Sequence, residues 1–189
     1  MALRVLLPFV YLLYSLTFRF DGVSYVLKID ENLILIREGK MDWDECKAAF
    51  YVDGSLRDIY IHNTTAADWN KFLTYTSTLK TSYSRQGEAN QLPTQVTEIF
   101  EENDETSFGL VIELGKVKLN CHFFTVHEIE LDIDPKEVTS QQDFDAVIDV
   151  FVGIGKSLDK DVVLTDENLP KSKWFEYHAA TGTVAFTSA

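Results

Sequence analysis

Between Cys121 and Pro135 the chain reads CHFFTVHEIELDIDP, its densest run of groups able to do chemistry. His122 and His127 could move protons or ligate a metal. Glu128, Glu130, Asp132 and Asp134 could hold a cation. In an extended strand alternate residues share a face, so Ile129, Leu131 and Ile133 go to one side and the four acids to the other. Same-face neighbours stand two strand rises apart, about 6.6–7 Å. That is too far for all four acids to share one ion at contact distances of about 2.3–2.6 Å. An adjacent pair could share one only with support from other segments. The two histidines, five residues apart, fall on opposite faces of an ideal strand and cannot hold one metal without a bulge. Three readings stand side by side: a solvated sheet face, an acidic docking surface, and a metal site. The partner-binding candidates are Glu128, Glu130, Asp132 and Asp134, expected to be exposed, with the three aliphatic residues between them buried. No residue is assigned a catalytic or metal-ligating role, and no cofactor is expected.

A second stretch, VGIGKS from Val152 to Ser157, resembles the end of a phosphate-binding loop. That loop needs a glycine five positions before the final Gly-Lys-Ser and must open a helix. Val150 stands where the first glycine belongs. Upstream, Phe144, Val147, Ile148, Phe151, Ile154 and Leu158 recur at helical spacing. Gly155 and Lys156 therefore fall late in an amphipathic helix, and Gly153 and Gly155 serve close packing or helix termination. No nucleotide is expected there. The chain also lacks H-E-x-x-H, paired C-x-x-C and G-x-S-x-G. Cys46 lies beside Asp44 and Glu45, whose charges raise a thiol pKa and make it a poor nucleophile. His62 and His178 are isolated and read as hydrogen-bonded structural residues. Trp69, on a helix stripe, reads as core.

The elements that position these residues follow from turn and cap signals. Asp21-Gly22 joins strands Leu16–Phe20 and Val23–Ile29, and Asp53-Gly54 joins Ala48–Val52 to Ser55–His62, both as hairpins. Leu33–Ile36 is a short strand between them. Thr65 caps a helix near 65–80, with Asp68 three residues on. Residues 81–95 are polar, contain Gly87 and Pro93 and read as a loop. The segment 95–102 reads as a strand or short helix. Phe108–Leu114 and Val117–Phe124 are strands joined by Gly115-Lys116. Ser140 or Thr139 then precedes Asp143 and a helix near 140–158. Val162–Leu164, Trp174–Tyr177 and Thr183–Phe186 are late strands. The expectation is one α+β domain over 1–189, with mostly antiparallel sheet and two principal amphipathic helices. The repeated strand-to-capped-helix order suggests an internal duplication.

The 189 residues carry a formal net charge of −13. Residues 1–95 hold ten Lys/Arg against eleven Asp/Glu, net −1, and residues 96–189 hold seven against nineteen, net −12. Such a surface repels phosphate backbones, which excludes nucleic acid as a partner, and attracts basic surfaces. Two cysteines make no disulfide framework and suit a reducing cytoplasm as free buried thiols. Residues 5–18 are nearly all apolar, too short to span a membrane. They read as a buried or partner-covered strand, with a cleaved secretory signal as the alternative, which would make the protein secreted. Asn63-Thr64-Thr65 would be a glycosylation acceptor only in a secreted eukaryotic protein.

Three stretches form a further pattern: VDGSLRDIYIHNTTAADWNKFL, CHFFTVHEIELDIDPKEV and KSLDKDVVLTDENLPKSKWFEY. Together, across residues 52–177, they resemble small acidic α+β proteins of bacterial toxin–immunity loci and related bacterial domains. The resemblance implies a cytosolic protein that blocks a cognate toxin by binding it, and it transfers no functional residue. The functional expectation is a non-enzymatic acidic protein that occludes a basic partner. The alternative is an enzyme with a site around His122 or His127 and Glu128 or Glu130.

Overall fold

Two helices begin with the same device. Thr65 accepts a hydrogen bond from the Asp68 N–H, and the Asp68 carboxylate accepts from the Thr65 N–H at 3.0 Å, a closed capping box. Ser140 accepts from the Asp143 N–H at 3.2 Å, and the Asp143 carboxylate accepts from the Ser140 hydroxyl at 2.7 Å. Burial opposes the Asp143 charge. Hydrogen bonds from Ser140 and Lys116 outweigh it and hold the carboxyl down at about 2. In the computed structural model, these caps start α2 (Ala66–Thr76) and α4 (Gln141–Leu158). Two single-turn helices, α1 (Trp43–Cys46) and α3 (Thr97–Phe100), complete the α-helices of the described residues. The structure describes residues 41–102 and 106–187, and the backbone alone of three further strands, 15–20, 23–28 and 34–38.

Those three strands, β1 (Ser15–Phe20), β2 (Val23–Lys28) and β3 (Ile34–Glu38), pair antiparallel in order. The first two meet as the Asp21-Gly22 signal requires, with Phe20 opposite Val23. The first fourteen residues, on which the strand or secretory reading of the apolar segment turns, lie outside the described residues.

The remaining nine strands form one antiparallel sheet: β4 (Arg57–His62), β5 (Thr81–Arg85), β6 (Glu88–Asn90), β7 (Phe108–Leu114), β8 (Val117–Thr125), β9 (Glu128–Ile133), β10 (Val162–Asp166), β11 (Leu169–His178) and β12 (Thr183–Phe186). Their spatial order is β12-β11-β10-β4-β9-β8-β7-β5-β6. The fold is thus α+β with a large antiparallel sheet. The chain leaves β9 through α4, passes β4 and enters β10 on its far side. It leaves β4 through α2 and enters β5, beyond β9, β8 and β7. Outward from β4 the strands follow chain order, whereas outward from β9 they reverse it as far as β5, with β6 added at the edge.

One sheet face packs the core. Ile59, Ile61, Ile129, Leu131, Ile133, Leu119, Ile112 and Leu164 are each fully buried, against Trp69, Phe72, Phe144, Phe151 and Phe175. Each such side chain contributes about 1.5–3 kcal/mol on burial. The helix that carries VGIGKS presses its glycines into this layer. A Cβ on Gly153 would sit 1.9 Å from the Tyr75 hydroxyl, and one on Gly155 2.2 Å from the Tyr177 ring. Close packing is the role of both. The segment is helix interior, ended by Asp159 in the left-handed conformation.

Two sequence expectations fail here. The Asp53-Gly54 segment is no hairpin: Lys47–Phe50 is a 3-10 turn, and a loop runs to β4. The reason is Arg57, fully buried on the core side of β4. Its guanidinium donates to the carbonyls of Ala49 at 2.8 Å, Tyr51 at 2.8 Å and Leu56 at 2.7 Å, and to Ser55 Oγ at 3.0 Å. The loop wraps the cation instead of pairing as a strand. Nor is 81–95 a loop throughout. Gln86 and Gly87, both at positive φ, turn β5 into β6 at the sheet edge. Edge strands bury little, which explains their polar sequence; Tyr83 is the one residue of the two strands buried.

Candidate binding face

The other face of β4, β9 and β8 gathers the polar groups. Three pairings across β4 and β9 set the rows: Asp58 opposite Asp132, Tyr60 opposite Glu130, and His62 opposite Glu128. On the β8 side, Asn120 faces Asp132 and His122 faces Glu130. The expected alternation of β9 holds, since Ile129, Leu131 and Ile133 are fully buried. The acids do not follow the expectation of exposure. Glu128, Glu130, Asp132 and Asp134 are all half-buried. Strand β9 lies in the interior of the sheet, so side chains of β4 and β8 cover its acids from both flanks.

The four acids also separate by role. Glu128 accepts a hydrogen bond from the His62 imidazole at 2.5 Å. Asp132 accepts from the His122 imidazole at 2.5 Å and from the Asn120 amide at 2.7 Å. Asp134 accepts from the Lys136 N–H at 3.0 Å and caps the 3-10 turn Pro135–Glu137. Glu130 has no hydrogen bond or ion pair with a described residue. Burial first, then the charge of Asp58, pushes its carboxyl above the ordinary 4.5. Its neighbour Asp132 moves the other way. Burial opposes the Asp132 charge, and the bonds from His122 and Asn120 overcome it. The same bond to Asp132 raises His122 above its ordinary 6.5.

Aromatic plates flank this row of acids. On β4, Tyr60 and His62 stack with centroids 5.5 Å apart. On β8, His122 and Phe124 stack at 5.0 Å, nearly parallel at 2°, and Phe124 is 69% exposed. Each plate is one strand away from Glu128 and Glu130, about 4.8 Å. Asp58, only 3% exposed, accepts from the Tyr60 hydroxyl at 2.8 Å and from the Asn168 N–H at 2.7 Å. Burial and this bond push the Tyr60 hydroxyl up and keep it protonated.

His127 joins none of this. It lies exposed in the turn between β8 and β9, and its N–H donates to Thr125 Oγ1. Of the histidines read as isolated, His62 is a member of the face. The alternation of Asp58, Tyr60 and His62 with Ile59 and Ile61 carried the same two-residue period as β9 and could have revealed them. Their register against β9 is not readable from one strand. Cys121 lies on the core side, where burial pushes its thiol well up, and Cys46 is likewise buried; neither forms a disulfide.

Compared with protein-family models, with curated proteins and with solved structures, the chain finds no match. The likeness to immunity-type proteins therefore rests on the residues that suggested it. Among the described residues no helix is long and apolar enough to cross a membrane.

Proposed function

We propose that this face of β4, β9 and β8 is a docking surface for a basic protein partner, which the chain occludes in the manner of an immunity protein. The observation that carries the reading is Glu130. A half-buried carboxylate with no donor among the described residues, held between two aromatic plates, suits a Lys or Arg side chain. The acid supplies the counter-charge, and the Tyr60 and Phe124 rings supply cation–π faces. Phe124, exposed on the same face, adds apolar area of the kind that anchors interfaces. The charge of −12 on residues 96–189 would steer such a partner from a distance. The two buried cysteines, neither in a disulfide, fit the reducing cytoplasm in which a cytosolic inhibitor would work.

Catalysis is the second reading, and one observation favours it: the His122–Asp132 pair stands beside a carboxyl whose pKa is raised, an arrangement suited to proton transfer. His127, the other histidine of that reading, takes no part in the pair.

The test uses the full chain and the purified product of the reading frame adjacent to its own. Stopped-flow association is measured at low and high salt for the wild type and for Glu128→Lys with Glu130→Lys. Docking through this face predicts association about tenfold slower for the double variant at low salt, with the gap narrowing as salt rises. Equal rates for the two proteins at both salt concentrations would refute it.

A further inference from the structure

Further along the same side of the sheet, three ligand-type side chains converge. Glu176 and His178 alternate on β11 and so share a face. Val162 pairs with Tyr177 and Val163 with Glu176, and the same register carried back one residue sets Asp161 opposite His178. One ligand atom from each of Asp161, Glu176 and His178 lies within 4.8 Å of the others.

From this constellation we infer that Asp161, Glu176 and His178 form a binding site for a divalent transition-metal ion of the zinc class. The donor set selects the ion. An imidazole with two carboxylates suits zinc and its neighbours, whereas calcium takes oxygen ligands. Two carboxylates neutralise the divalent charge, and water completes the coordination. A tetrahedral ion with bonds of about 2.0–2.2 Å needs donor atoms about 3.3–3.5 Å apart. Side-chain rotation closes the gap from 4.8 Å, since Asp161 is exposed and the other two are half-buried.

The surroundings leave room for the ion. Asp161 Oδ1 accepts from the Ala179 N–H at 2.8 Å, which orients the carboxylate and leaves its second oxygen for a metal. The His178 ring makes no hydrogen bond among the described residues; its nearest acid is Glu176, with Nδ1 4.0 Å from Oε1. Lys160 is turned away, donating to the Asn63 carbonyl at 3.0 Å. The competitor among the described residues is Lys173, whose ammonium donates to Glu176 Oε2 at 3.0 Å. Its side chain is 42% exposed and leaves at little cost. The ion therefore displaces a lysine from a carboxylate, and removing that lysine strengthens binding.

The test is calorimetric titration of the chelator-treated full chain with zinc chloride, followed by cobalt chloride to read the geometry from its visible absorption. One equivalent of zinc binds the wild type. His178→Ala and Glu176→Gln each weaken binding at least tenfold, Lys173→Ala tightens it severalfold, and His127→Ala, in the exposed turn between β8 and β9, leaves it unchanged. Circular dichroism checks that each variant is folded. If His178→Ala does not fold, imidazole NMR of the wild type replaces it, with the His178 resonances moving on addition of zinc. Absence of zinc binding by the wild type would overturn the inference, as would binding that survives Glu176→Gln and His178→Ala.

Discussion

Arg57 and Glu130 occupy neighbouring central strands and handle charge in opposite ways. Arg57 faces the core, is fully buried, and has hydrogen bonds from all three of its nitrogens. Asp166 lies 3.5 Å from its Nε, and the Tyr51 ring covers it at 4.5 Å. Glu130 faces the other way, half-buried, with no donor among the described residues. Burying a charge is costly unless partners replace the lost water. Arg57 meets that condition and fixes a loop; Glu130 does not, and its raised pKa records the cost. A completed charge holds structure, while an incomplete one is available to a ligand.

The contrast breaks first at Arg57. Arg57→Ala strands the carbonyls of Ala49, Tyr51 and Leu56 and takes away the cation beside Asp166, which keeps its bonds from Ser172 and Trp174. Unfolding in urea should show a loss of about 3–5 kcal/mol. The exposed pair of Lys80 with Glu113, where the lysine side chain is 77% exposed, is the control. Lys80→Ala should cost under about 0.5 kcal/mol. Similar losses for the two variants would mean that the cation in the core does no more than a surface ion pair.

The packed side can be sharpened at two glycines two residues apart. A Cβ on Gly155 meets Cδ1 and Cε1 of Tyr177 at 2.2 and 2.4 Å, and that ring is 3% exposed with nowhere to move. A Cβ on Gly153 meets the hydroxyl end of Tyr75, a half-buried side chain that can swing aside. Alanine also gains up to about 1 kcal/mol over glycine inside a helix. Gly155→Ala should therefore lose about 1–3 kcal/mol, while Gly153→Ala stays within about 0.5 kcal/mol of the wild type. Thermal melts of both decide it, and equal losses would mean that the Tyr75 side of the helix is as rigid as the Tyr177 side.

Much of this architecture was legible because local rules sufficed. The caps at Thr65 and Ser140, the stripe through Phe144, Phe151 and Ile154, and the alternation of β9 are each written within a few residues. The Asp53-Gly54 hairpin was misread because the deciding group, Arg57, acts through carbonyls up to eight residues back. The exposure of the β9 acids was misread for a related reason. Alternation says which face a side chain takes, but burial depends on the neighbours, and a strand's place in the sheet order is a long-range property. The same limit hid Asp58, Tyr60 and His62, whose importance lies in standing opposite Asp132, Glu130 and Glu128.

The smallest expected effect tests the open side of the comparison, and its sign is the informative part. Glu130 has a raised carboxyl pKa, so the folded state disfavours its charge relative to the unfolded chain. Between the unfolded and folded pKa values the folded state holds the extra proton. Stability is therefore lost as pH rises through that window and does not return above it. Glu130→Gln removes the charge and keeps the shape. It should stabilise the protein at pH 7 by a few tenths to about 1 kcal/mol, since the group is only half-buried. Below the ordinary 4.5 both forms are neutral, and the advantage should vanish. Urea midpoints at pH 7 and pH 4 supply the measurement. The same variant should bind a basic partner more weakly if the face docks one, so that stability and affinity move in opposite directions. Destabilisation at pH 7 would mean that Glu130 is already paired in solution, and the distinction drawn between it and Arg57 would fall.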